Sequence, residues 1–148
     1  MPLPKISTPI YELVLPSTEQ KIKYRPFLVK EEKVLLLETE DTKEISNAVQ
    51  QVLNNCIQTK GIKVDKLPTF DIEYLFLNIR AKSVGEDIEV NLICPDDGVT
   101  EVKTTISVDD IKIQKDKAHN KTIELGDGLF IEMKYPSLDQ FIKTNFDP

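Results

Sequence analysis

Residues 69–95 read TFDIEYLFLNIRAKSVGEDIEVNLICP, and the fold class turns on a change of period inside this stretch. Up to Ser83 the apolar residues recur at helical spacing. Ile72, Leu75, Phe76 and Ile79 share one face and Tyr74 and Leu77 fall beside it, an arc wide enough to sit between two partners. Thr69 is placed to cap this helix and Gly85 to end it. From about Gly85 the pattern alternates instead: Ile88, Val90, Leu92 and Cys94 point one way, Glu89, Asn91 and Ile93 the other. Pro95-Asp96-Asp97-Gly98 supplies turn chemistry, and Val102, Thr104 and Ile106 alternate in a returning strand. A helix that hands over to an antiparallel hairpin predicts an α+β chain.

Upstream, two more helices are expected. Val29 to Glu38 is rich in helix formers with acids early, where the helix dipole favours them, and its run Val34 to Leu37 implies contact on more than one side. Asp41 as N-cap with Glu44 three residues on starts the next helix, whose stripe is Ile45, Val49, Val52, Leu53, Cys56 and Ile57. Before them, Ile10–Leu15, a turn at Pro16–Glu19 and Lys21–Phe27 form a hairpin with one apolar and one basic face. Pro2, Pro4 and Pro9 make residues 1–9 an extended arm.

Downstream, Ile111 and Ile113 suggest a short strand, and Lys115 to Lys121 a polar loop. Thr122–Leu125, Gly126–Gly128 and Leu129–Tyr135 predict a second hairpin, with Leu129, Ile131, Met133 and Tyr135 on one face. Ser137 with Gln140 is a capping box for a last helix. The expected organisation is an arm (1–9), a hairpin with a small three-helix core (10–85), an antiparallel β module resembling a degenerate zinc ribbon (86–135) and a C-terminal helix (136–148).

At 148 residues the chain is long enough to bury a core without disulfides. No apolar run approaches the roughly 20 residues of a membrane span, and the N-terminus lacks a signal-peptide pattern, so a cytoplasmic location is expected. The net charge of −6 repels phosphate backbones, so nucleic acid is not an expected partner. The cluster Lys112, Lys115, Lys117 and Lys121 has no aromatic residues interleaved for stacking on bases, and reads as a solvated loop.

Chemistry-bearing residues are few. Cys94-Pro95-Asp96-Asp97-Gly98 has the outline of one zinc-ribbon knuckle, but four ligands are needed and the second knuckle is missing. Cys56 lies on a helical core face, and His119, the single histidine, is the one imidazole that could activate a thiol. Gly126-Asp127-Gly128 is a turn without the phosphate-binding fingerprints. No metal and no cofactor are therefore expected. An enzyme using Cys94 and His119, zinc- or thiol-dependent, is the alternative to a binding protein. Basic residues at the hairpin-to-helix junction suit docking to an acidic surface, and Arg80 would need a carboxylate partner if buried. The candidate contact residues are Arg25, Phe27, Lys30 and Lys33, with Arg80 and Lys82 from the end of the third helix.

Three stretches together carry a family resemblance: Tyr24–Lys33 with the apolar helix after it, Leu67–Gly85, and the strand ending at Cys94-Pro95. Over most of residues 8–135 the chain resembles the baseplate hub assembly proteins of T-even-type contractile-tailed phages. The resemblance implies a non-enzymatic morphogenesis protein, a hub component or an assembly chaperone, whose partners are other baseplate hub or tail proteins. It implies work in the host cytoplasm during assembly, with the virion tail baseplate as the location if the chain is a hub component.

Overall fold

The computed structural model describes residues 7–37, 42–116 and 119–145. Its elements in chain order are β1 (Tyr11–Val14), β2 (Lys21–Tyr24), α1 (Val29–Leu37), α2 (Thr42–Cys56), a 3-10 turn (Val64–Lys66) and α3 (Thr69–Val84). There follow β3 (Asp87–Ile93), β4 (Glu101–Ser107), a second 3-10 turn (Val108–Asp110), β5 (Thr122–Gly126), β6 (Leu129–Glu132) and α4 (Leu138–Asn145). The fold is α+β, with its strands in three separate two-stranded antiparallel sheets, β1-β2, β3-β4 and β5-β6.

One core holds the N-terminal half together. Leu13, Leu15, Ile22 and Tyr24 of the first hairpin pack on Val52, Leu53 and Cys56 of α2 and on Ile72, Leu75 and Ile79 of α3, with Val64 closing one side. The α2 stripe is the one its helical spacing predicts, save that Ile45 at its start stays exposed. Beyond α2 the chain turns back along β2. The Arg25 N–H donates to Cys56 C=O at 3.0 Å, and the Gln58 N–H to Lys23 C=O at 2.8 Å, so β2 is paired on both sides.

The turn after β1 is clamped to α3. Asp71, in the first turn of α3 and fully buried, accepts the Ser17 N–H at 3.0 Å and the Ser17 hydroxyl. The helix N-cap is Pro68, in an extended conformation that suits a helix entry. Thr69, expected to be the cap, is instead the first helical residue. At the other end Gly85 takes φ 134°, which disfavours any side chain, and its N–H closes on Ala81 C=O at 3.1 Å before β3 begins.

The hairpins after α3 follow the alternation read from the sequence. In β3-β4, Ile88 opposes Ile106, Val90 opposes Thr104 and Leu92 opposes Val102, all on one face. In β5-β6 the two-residue loop Asp127-Gly128 has positive φ at both positions, the type I′ geometry that matches strand twist. Leu125 is the extra residue of a bulge between the Glu124–Phe130 and Gly126–Leu129 pairs. Ser137 and Gln140 form the expected capping box of α4: each backbone N–H donates to the other's side chain, at 3.1 and 3.4 Å. That helix docks back through Leu138 N–H to Leu67 C=O at 3.1 Å.

Three expectations need correction. Ile111 and Ile113 lie in no strand; after the Val108–Asp110 turn the chain runs irregularly, because an alternation of two residues has no partner strand to pair with. β6 ends at Glu132 rather than Tyr135: beyond it Met133 keeps one bond to Lys121 C=O, and the Tyr135 ring leaves the hairpin to meet Phe70 edge-on at 4.8 Å. In α1, Val34 and Leu35 pack on the core as the run requires, but Leu36 is 73% exposed and takes no part in it. Asp41, and the arm up to residue 6, lie outside the described residues.

Candidate functional site

The hairpin-to-helix junction is built around a buried ion pair. Arg25, just beyond β2, donates from Nη2 to Glu31 Oε1 at 2.9 Å and from Nη1 to Pro26 C=O at 2.8 Å. The Arg25 side chain is 12% exposed and that of Glu31 1%. Glu31 also accepts the Leu28 N–H at 2.8 Å, half of a capping box at the start of α1. Burial alone would raise the Glu31 carboxyl, but the hydrogen bonds from Arg25 and Leu28 and the guanidinium charge outweigh it and hold its pKa below the ordinary value.

The structure therefore divides the candidate contact residues. Arg25 is committed inside the molecule, and Phe27 is partly buried against the core, its N–H donating to Ser83 Oγ at 3.0 Å. Lys30 is exposed with its ammonium 3.4 Å from Glu31, and Lys33 is exposed. Lys82 pairs with Glu86 and lies 5.7 Å over the Tyr11 ring. Arg80 is half-buried, and its Nη1 is enclosed without a hydrogen-bond partner among the described residues. Arg25, Phe27 and Lys30 converge on the start of α1; among the described residues no hydrogen bond or ion pair joins Arg80 to them.

The thiols and the imidazole are apart. Cys56 is fully buried, and burial pushes its pKa up to about 11 against the opposing charge of Arg25, so it is a neutral thiol at physiological pH. Cys94 opens the turn between β3 and β4, where its N–H donates to Thr100 C=O at 2.8 Å and its C=O accepts the Gly98 N–H at 2.9 Å. Asp97 organises that turn. It accepts the Thr100 hydroxyl and the N–H groups of Thr100 and Val99, which together lower its pKa to about 2. His119 shares a 2.6 Å hydrogen bond with the Tyr135 hydroxyl, the two rings lying nearly parallel. It stands in an open depression of about 1060 Å³ lined by Ser17, Thr18, Ile123 and Met133 among others; Cys94 is not in the lining. Among the described residues no group of three or more His, Cys, Asp or Glu stands where it could hold a metal ion. A thiol reagent such as dithionitrobenzoate is expected to titrate one cysteine, Cys94, in the folded chain and a second, Cys56, only after denaturation.

The feature that stands out is apolar surface. Ile123 and Ile131 oppose each other in β5-β6, with Leu129 on the same face, and they are 46%, 44% and 65% exposed. Leu125 and Phe130 are more than half exposed beside them. In β3-β4 Leu92 and Val102 are also half-exposed. Neither hairpin contributes a residue to the core cluster, and a two-stranded hairpin is marginal in water by itself. Apolar faces left open in this way mark sites of association. Charge-based reading of the sequence passed over them, although Leu129-Phe130-Ile131, apolar on both faces of a strand, was a visible signal.

No helix among the described residues is long and apolar enough to cross a membrane. Among known proteins, no curated sequence and no solved structure matches the chain. Among known families, residues 8–148 match the one described as T4 bacteriophage base plate protein. With that match taking in nearly every residue from the first hairpin to the last helix, the chain belongs to the T4-type bacteriophage baseplate protein family.

Proposed function

We propose that this baseplate protein acts by binding and not by turnover: it associates with other hub proteins of the tail baseplate and promotes hub assembly in the host cytoplasm, as a hub subunit or as a chaperone that leaves. The observation that carries this reading is the uncovered apolar face of β5-β6, with Ile123, Leu129 and Ile131 at its centre. Burying such a face against a partner recovers hydrophobic free energy that the isolated chain forgoes. The exposed Lys30 and Lys33 of α1 add polar contact at a separate place. Arg25 and Phe27 serve there by shaping the junction.

The separation of Cys94, Cys56 and His119 supports binding over thiol chemistry, and Cys94→Ala is expected to keep the partner. Co-expression with each of the phage's other hub proteins, followed by size-exclusion chromatography with light scattering, tests the reading. The expected result is a heteromeric complex with one of them. A lone monomer in every combination overturns stable binding.

A further inference from the structure

The second uncovered face, that of β3-β4, differs from the first in charge. Residues 86–110 carry eight carboxylates against a single lysine, Lys103, a net of −7. Of the chain's 25 acidic and 19 basic residues this leaves 17 and 18 elsewhere, a net of +1, so the acidity of the protein resides in this hairpin and its two ends. The register sorts the hairpin by face. Ile88, Val90, Leu92, Val102 and Ile106 lie on one side with Thr104; Asp87, Glu89, Glu101 and Lys103 lie on the other with Ile93. Leu92, Val102 and Ile106 are roughly half-exposed, and Asp87 and Glu89 are exposed.

We propose that the β3-β4 hairpin docks through this apolar face onto a basic protein surface of the baseplate, its carboxylates steering the encounter. The inference rests on the protein-binding reading above and adds the chemistry of the partner. Two physical points select that occupant. A second copy of this chain would bring −7 against −7, and such like-charge juxtaposition disfavours the pairing. A surface rich in lysine and arginine is attracted over about a Debye length, roughly 8 Å at physiological salt, and the apolar stripe then supplies the short-range contact. Charge and apolar face thus act on different steps, association for the first and dissociation for the second.

The test uses the full chain and the baseplate protein that co-purifies with it, with association and dissociation rates measured by surface plasmon resonance from about 50 to about 500 mM salt. Exposed Asp87 and Glu89 make D87N/E89Q a conservative variant. It is expected to slow association about five-fold at low salt and to flatten the salt dependence. E44Q/E73Q removes the same formal charge from exposed positions on α2 and α3 and is expected to leave both rates unchanged. L92S/V102S, with an unchanged melting midpoint, is expected to leave association intact and to speed dissociation about ten-fold or more.

Unchanged kinetics in D87N/E89Q, or equal slowing in E44Q/E73Q, overturns the steering role while leaving the binding reading in place. Dimerisation of the wild-type chain that L92S/V102S abolishes assigns the face to a second copy and overturns the inference as well. Absence of any baseplate partner overturns both this inference and the reading beneath it.

Discussion

Replacing Glu31 with alanine is expected to lower the unfolding free energy by about 3–5 kcal/mol, measured by urea denaturation at neutral pH. The Glu31 carboxylate is the counter-charge of Arg25, and both side chains lie inside the junction between β2 and α1. Removing one member leaves a guanidinium with little water around it and no anion, and it also frees the Leu28 N–H at the start of α1. Total stability of a domain is only about 5–15 kcal/mol, so the variant should sit near the edge of folding. Arg25→Met should cost less, because Glu31 keeps the Leu28 N–H and the Lys30 ammonium at 3.4 Å. The double variant R25M/E31L should cost much less than the two single changes together, because no unpaired charge remains, and a double-mutant cycle reads that difference.

Acid should have the same effect on the wild-type protein. The folded carboxyl of Glu31 has a pKa below its ordinary value, so it binds fewer protons than the unfolded chain does at mildly acid pH. The stability it contributes is complete above the unfolded carboxylate pKa of about 4.3 and is lost as pH falls through the lower folded value. Wild type and Glu31→Gln are therefore expected to differ most above about pH 5 and to draw together progressively as pH falls below the ordinary carboxylate value of about 4.3, with denaturant midpoints followed against pH. A constant gap across that range would show that the charge of Glu31 is not what stabilises the junction.

How far the sequence foretold this arrangement depends on whether the deciding contact was local. The stripe on α2 and the Ser137–Gln140 box rest on neighbours three to eight residues apart, and both are present in the structure as their spacing requires. Asp71 is different. An aspartate in a first helical turn is normally solvated, and only Ser17, 54 residues away, makes its burial tolerable. Arg25 sits in a basic alternation, Lys21-Ile22-Lys23-Tyr24-Arg25, that suggests a solvated face, but its guanidinium pairs with the buried Glu31 instead. The hairpins carry the most instructive difference. Alternation identified their strands and faces, yet periodicity states only which residues share a side. It is silent on whether a second layer of this chain covers that side, and among the described residues none of β3-β4 or β5-β6 joins the core cluster.

That uncovered side makes the second large effect a loss of assembly without a loss of fold. The triple variant I123S/L129S/I131S is expected to weaken binding to the hub partner about a hundred-fold, measured by titration calorimetry, while its melting midpoint stays close to wild type. Ile123 and Ile131 already bury about half of their surface in the free protein, and Leu129 about a third. Docking would bury the rest, so each contributes about 1 kcal/mol to binding, half of what full burial of such a residue gives. Three of them amount to about 3 kcal/mol, which is roughly two decades in Kd. None of the three belongs to the core cluster, so serine there opens no cavity, and the Asp127-Gly128 turn continues to set the register. The opposite outcome, undiminished affinity with a lowered melting midpoint, would mean that the face is packed within this chain in solution. The binding reading would then have to move to Lys30 and Lys33 on α1, where charge reversal rather than loss of apolar area would be the decisive substitution.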